Sequence, residues 1–392
     1  MSVCVAAVAA LSAAPSHGAQ TELVVDDDGA QCAQAGFTSI QAAVNAASPG
    51  ATIRVCPGTY DEVVTVNKAN LQLTGPRTPS VCTDSDAPDP NVDAIVQASN
   101  ASGGVVNLLA NGIRFQQFTV QNNTLGSGVL TGAAFSGHNV TENTVQNNVL
   151  GVYFNSNGAT PSAVQQNCIR QNNQAGASSG NGVYSDQGLK NADISENTFF
   201  QNSSSGIVLT GTLPGAVNDV DIDENISRQD GSLLAIFNSA STDVRANDAL
   251  NNTGSAIFVG NDNTGLRIRS NIIDRGVRGV RTSTAFGGNA STDVSIISNK
   301  ITNSTSATGD GINVGPNSLT GSLISSNTAT NNPRDGIRID AGGNAGNRIF
   351  TNTLRNNGEH DCHDDTTGTG TAGTANNWRA NAGVTENRPG LC

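Results

Sequence analysis

Aromatic side chains are scarce in this chain of 392 residues, at 4 %, with one tryptophan and three tyrosines. Charged residues are few as well, at 13 %, and the only lysines are Lys68, Lys190 and Lys300. So few cations, within a net charge of −12, exclude general nucleic-acid binding, because an acidic surface repels a phosphate backbone. Beyond residue 20 no run is long and apolar enough for a membrane-crossing helix, so no membrane insertion is expected. The cysteines do not form C-x-x-C pairs, which argues against a zinc ribbon. Low charge with 44 glycines resembles the composition of disordered chains. Against that, Val, Ile and Leu recur at fixed places, and a core built along one axis removes the need for two domains.

Residues 1–20 read as a signal peptide: Val3 to Ala14 is a short apolar run followed by small residues. No Lys or Arg precedes Arg54, so the charged start of such a leader is expected upstream of Met1. Six later cysteines in an exported chain predict disulfides, with Cys32–Cys56 and Cys362–Cys392 closing the two ends. Cys82 and Cys168 are left over, either as a third pair or with Cys168 an inert buried thiol. The expected product is secreted or periplasmic and monomeric.

What the chain has is a repeat. Val or Ile stands three places before an asparagine in nine successive units, from Val140 with Asn143 to Ile349 with Asn352. Two places after the asparagine, all but Ser227 are apolar. The intervals between these asparagines are 24, 30, 28, 22, 24, 28, 28 and 25 residues, which means constant strands and variable loops. A second piece follows, as in Gly151-Val152-Tyr153-Phe154 and Gly336-Ile337-Arg338-Ile339, alternating like a strand with one buried face. Helical spacing is absent. The pattern predicts an all-β, right-handed parallel β-helix with its coils stacked through an asparagine ladder. Asparagine is expected at this turn because it tolerates the left-handed conformation. Roughly twelve coils at about 4.8 Å would make a rod some 55–60 Å long.

Thr38 to Ala47 reads as an amphipathic helix with a Ser/Thr cap, closing the front of the stack. The expected organisation is leader 1–20, N-terminal cap and first coil 21–70, coils 71–358 and C-terminal cap 359–392.

Phe37-Thr38-Ser39-Ile40-Gln41-Ala42-Ala43, Pro57-Gly58-Thr59-Tyr60-Asp61-Glu62 and Leu71-Gln72-Leu73-Thr74-Gly75 resemble the opening of pectin-lyase-like β-helix proteins. Pectin methylesterases and the copper accessory protein of nitrous oxide reductase open similarly. The resemblance implies the fold and raises carbohydrate as a ligand class. It implies no specific reaction, because the signatures of pectin methylesterases, polygalacturonases, alginate epimerases and pectate lyases are missing. Gln229-Asp230 is a fragment of the first of these.

Stacking turns sequence into columns. Two places before the ladder asparagine stand Asp223, Arg245 and Arg269; four before stand Asp193, Asp221, Asp243 and Arg267. Both columns should face outward on one sheet, where acids and arginines could hold Ca²⁺ or serve acid–base chemistry. The plainer reading is a solvated face of cross-coil Asp–Arg pairs. Asp84, Asp86, Asp89, Asn91 and Asp93 have some look of a calcium loop. Glu142, Glu196 and Glu224 form an acidic edge and His138 stands alone; Glu359, His360, Asp361, His363, Asp364 and Asp365 cluster near Cys362, where a metal could sit or a turn is tied to the terminal disulfide. The function expected is binding or processing of an extracellular polysaccharide along one outer sheet face. A non-catalytic adhesion rod and a metal-delivery accessory protein are the alternatives. Few aromatics count against the first, since sugar rings stack on them.

Overall fold

The computed structural model describes residues 22–77, 82–83 and 87–392. The expected leader, Asp84 and Asp86 lie outside the described residues. Each coil carries three short strands; in one middle coil they are Leu189–Ser195, Thr198–Phe200 and Ser205–Leu209. The strands pair in parallel with their equivalents on the neighbouring coils, giving sheets of 14, 12 and 12 strands, sheets 1, 2 and 3 here, beside one two-stranded pair of Ser291–Thr292 with Leu319–Thr320. Register follows the repeat, with Ile194 beside Ile222 and Ile222 beside Val244. The core is the stack of these inward residues, all of them buried, with Val145, Ile169 and Phe199 from sheet 2 and Val152, Val183 and Ile207 from sheet 3.

The asparagine column forms the corner between sheets 1 and 2. Oδ1 of the buried Asn197 accepts from Asn167 N at 3.0 Å and Asn167 Nδ2 at 2.9 Å. Its own Nδ2 donates to Asn225 Oδ1 at 3.0 Å and to Val164 O at 2.8 Å. The exchange runs from Asn143 to Asn381, one coil past the repeat read from sequence. The left-handed expectation is corrected. The ladder asparagines are not left-handed; the residues before them are, with Glu142, Gln166, Glu196, Glu224, Ala246 and Ser270 at φ between 53° and 56°. The chain turns at that preceding residue, so the asparagine side chain points inward and reaches both neighbouring coils. Glu142, Glu196 and Glu224 therefore sit on the turn itself.

A second ladder lies five residues after the first, at the corner between sheets 2 and 3. Asn123, Asn148, Asn172 and Asn202 follow the same hydrogen-bond pattern. Then Asp230 takes the asparagine's place, fully buried, accepting from Asn202 N at 2.7 Å and Asn202 Nδ2 at 2.9 Å. Ser227, the exception in the apolar column, donates to Asp230 Oδ2 at 2.7 Å. Burial pushes the Asp230 carboxyl up to about 7. On the next coil Asn252 Oδ1 is buried without a partner among the described residues. The glycines of sheet 3 serve this crowded corner: a Cβ at Gly151 would stand 2.4 Å from Gly182 O.

Both ends are closed. The front helix is Ile40–Ala46, capped by Ser39, whose Oγ accepts from Ala42 N at 3.2 Å. The Glu62 carboxylate also accepts from Ile40 N at 2.7 Å and Gln41 N at 3.0 Å, binding the helix to the first coil. Cys32–Cys56 and Cys362–Cys392 are paired as expected, and Cys82–Cys168 makes the third disulfide. At the far end Trp378 is buried and donates from Nε1 to Asp364 Oδ2 at 2.8 Å.

Candidate functional site

Sheet 1 brings the two predicted columns together. Asp193, Asp221, Asp243 and Arg267 stand in register, as do Ser195, Asp223, Arg245 and Arg269. Most of the charge cancels between coils. Arg245 Nη2 donates to Asp223 Oδ2 at 2.7 Å, and Arg269 grips Asp243 with Nε at 3.0 Å and Nη2 at 2.6 Å. These bonds hold both guanidinium groups above their ordinary pKa. Asp193 accepts from Gln165 Nε2 at 2.6 Å, and burial raises its pKa; burial also raises that of Asp221. These two acids line a cleft of about 180 Å³ with Gln165, Asp223 and Arg245. Among the described residues no trio of acids on this face brings ligand atoms within 4.8 Å of one another, as a calcium cage would. Arg267 makes no ion pair with a described residue.

Asp89 and Asp93, the described acids of the suggested calcium loop, are occupied, Asp93 by Arg77 Nε at 2.8 Å and Asp89 locally. The Asp89 carboxylate accepts from Asn91 N at 2.9 Å and Asn91 Nδ2 at 2.8 Å, which lowers its pKa. His138 is buried, both ring nitrogens lack partners, and burial pulls its pKa down to about 4.

The outer face of sheet 3 carries what the sequence reading did not assemble. One column runs in register through Leu130, Tyr153, Tyr184, Val208, Ala235, Phe258, Arg281, Asn313, Arg338 and His363. These are the middle residues of the Gly-aliphatic-x-apolar piece, so the signal was the identity of x. The rings of Tyr153 and Tyr184 lie 5.9 Å apart beside a cleft of about 220 Å³. Tyr153 donates to Asp186 and accepts from Gln187 Nε2 at 2.7 Å. Burial first, then Asp186, pushes Tyr153 up to about 12, so at neutral pH it is a donor and not a base. Farther along, Phe237, Phe258 and the exposed Phe286 meet with centroids 5.7–5.9 Å apart.

Beyond the phenylalanines the column turns cationic. Arg281 makes no ion pair with a described residue, and its Nε is buried without a partner. Burial and then Arg278 lower its pKa, so an added anion would relieve it. Arg334 is bound to the buried Asp310, and Arg338 to Asp335, Asp340 and Asp365. The acidic cluster around Cys362 divides by burial. Asp361 and Asp364 are buried and end the stack, accepting from Asn357 Nδ2 at 2.8 Å and from Asn376 Nδ2 at 3.0 Å. His363 and Asp365 stay on the arginine side.

A family model described as right handed beta helix region matches residues 135–291. No curated protein matches the chain. The A-module of the mannuronan C-5 epimerase AlgE6 from Azotobacter vinelandii is similar in structure, with a TM-score of 0.56 at 14 % identity over 89 % of this chain and 94 % of that one. The AlgE4 A-module of the same organism gives 0.50 at 14 % identity, over 90 % and 95 %. DFA-IIIase from Arthrobacter chlorophenolicus A6, in complex with GF2, gives 0.51 at 11 % identity, over 85 % and 88 %. At such identities the likeness is one of fold. The chain folds as a right-handed parallel β-helix, and residues 135–291 match the model of that region.

Proposed function

We propose that this protein works outside the cytoplasm and binds an acidic polysaccharide lengthwise along the outer face of sheet 3. The observation that carries the reading is the single register column that takes Tyr153 and Tyr184, Phe258, and then Arg281 along one face. From Tyr153 to His363 it covers eight inter-strand steps, roughly 38 Å at about 4.8 Å each. Aromatic faces suit the apolar faces of sugar rings, and an unpaired guanidinium suits a uronate carboxylate through two parallel hydrogen bonds. Scarcity of aromatics counted against carbohydrate only while they were counted over the whole chain; gathered on one face, they favour it. The three disulfides fit an oxidising compartment. The named mannuronan epimerases and the DFA-IIIase complexed with GF2 lend the reading support by analogy of fold.

The paired charges of sheet 1 stand as the second candidate face, because Asp193 and Asp221 share a cleft and both have raised pKa values. A polysaccharide array, read with and without Ca²⁺, tests the function. Retention of an anionic polysaccharide is the expected result, and an array with no bound glycan would refute the reading. A rise in unsaturated-uronate absorbance on the retained glycan would add lyase activity to binding.

A further inference from the structure

We propose that Asp335, His360 and His363 form a binding site for a divalent transition metal of the zinc class, at the C-terminal end of the sheet-3 column. Neighbouring strands supply the ligands: Asp335 pairs with His360, and Arg338 with His363. His360 Nδ1 and His363 Nδ1 lie 3.2 Å apart. Asp335 Oδ1 is 3.4 Å from the first, and Asp335 Oδ2 is 3.4 Å from the second. Tetrahedral coordination with bonds of about 2.0–2.1 Å separates ligand atoms by about 3.3–3.4 Å. The two imidazole nitrogens therefore already have the spacing of one edge of such a site, and the Asp335 carboxylate turns one oxygen toward each ring, with one ligand atom from each residue within 4.8 Å of the others.

The protonation pattern agrees at His363; the 3.2 Å contact then places a proton on His360 Nδ1, which the metal would displace. Arg338 Nη1 can only donate, and it lies 3.3 Å from His363 Nδ1, so that nitrogen presents its lone pair. The His363 proton then sits on Nε2, which is 2.9 Å from Asp365 Oδ2, within ion-pair reach although off the hydrogen-bond line. A carboxylate behind a ligating imidazole orients it and raises its basicity. Asp335 is fully buried and requires a cation. Arg338 Nη1 fills that role at 3.1 Å, while its Nε and Nη2 are held separately by Asp340 at 2.6 Å and Asp365 at 3.0 Å. A metal would displace Nη1 alone and leave the other two bonds standing. His360, with its side chain 32 % exposed, leaves an approach from solvent. Two imidazoles and one carboxylate suit Zn²⁺, Ni²⁺ or Cu²⁺ and not Ca²⁺, so this site differs in kind from the calcium cages considered on sheet 1. It does not depend on carbohydrate binding.

The test is titration of the untagged, chelator-stripped chain with Zn²⁺ against a chromophoric chelator, with circular dichroism confirming the fold of each variant. One Zn²⁺ per chain is expected. His360→Ala and His363→Ala should each weaken binding at least tenfold, and Asp365→Asn about tenfold through the orienting carboxylate. Arg338→Gln should tighten binding, because it removes the competing cation. His360→Ala keeps the experiment readable if the more buried His363→Ala fails to fold. No binding by the natural chain, binding by Arg338→Gln alone, or stoichiometric binding unchanged in His360→Ala would each overturn the proposal.

Discussion

The two sides of the rod follow the repeat to different degrees. On the sheet 1 side the corner is an uninterrupted asparagine column, and Asp223 with Arg245 and Asp243 with Arg269 pair across coils. On the sheet 3 side the corner ladder is broken by Asp230, and the outward column holds aromatic rings, an arginine with no ion pair among the described residues, and His363, which meets His360. Where every position obeys the repeat, the residues serve stacking. Departures from it concentrate on the side proposed here to hold a ligand, where local irregularity goes beyond what stacking requires.

The largest expected effect tests the regular corner. Asn225→Ala removes an acceptor of Asn197 N and Nδ2 and donors to Ile194 O and Asn247 Oδ1, all buried. Urea denaturation should register a loss of about 3 kcal/mol or more. Asn252→Ala, in the broken ladder, should cost only about 1 kcal/mol, since its Oδ1 is already without a partner. Equal losses would erase the distinction between the corners.

Asp230→Asn sharpens the same contrast with the opposite sign. The folded chain holds this carboxyl's proton up to about 7 against an ordinary 3.8. It therefore binds more protons than the unfolded chain between those values, and stability falls as pH rises through that window. Asparagine removes this slope and supplies an amide at the ladder position facing the unpartnered Asn252 Oδ1. Stability above pH 7 should rise by about 1–3 kcal/mol, with little change below pH 4, as read by denaturation at a series of pH values.

Much of this was open to reading in the sequence, and the limits are physical. The first ladder was legible because Val or Ile three places before each asparagine is enforced by burial on every coil. The second ladder was equally regular, at a constant offset of five, but Asp230, Gly276 and Ser304 interrupt it and hide its period. Ser227 looked like noise until Asp230 stood beside it. The sheet 1 columns were legible by alternation, whereas their pairing depends on side-chain geometry that spacing does not carry. The sheet 3 face was missed because its column mixes Tyr, Val, Ala, Phe, Arg, Asn and His, and only register shows that they share a line. The His360–His363–Asp335 convergence depends on Asp335, 25 residues before His360, lying one coil below it.

The smallest effect belongs to the sheet 1 surface pairs. Asp223→Asn together with Arg245→Gln should change stability by less than about 0.5 kcal/mol, because the arginine side chain is 41 % exposed and water screens the pair. A loss of several kcal/mol on denaturation would mean that this face does more than balance its own charge.

Calorimetric titration with an acidic oligosaccharide retained on the array tests the central claim most directly. The wild type, the sheet 3 variant Tyr184→Ala with Arg281→Gln, and the sheet 1 variant Asp221→Asn with Arg245→Gln are compared. The account predicts that the sheet 3 variant loses about 2–3 kcal/mol of affinity while the sheet 1 variant binds as the wild type does. Wild-type affinity in the sheet 3 variant, with binding lost in the sheet 1 variant, would contradict it.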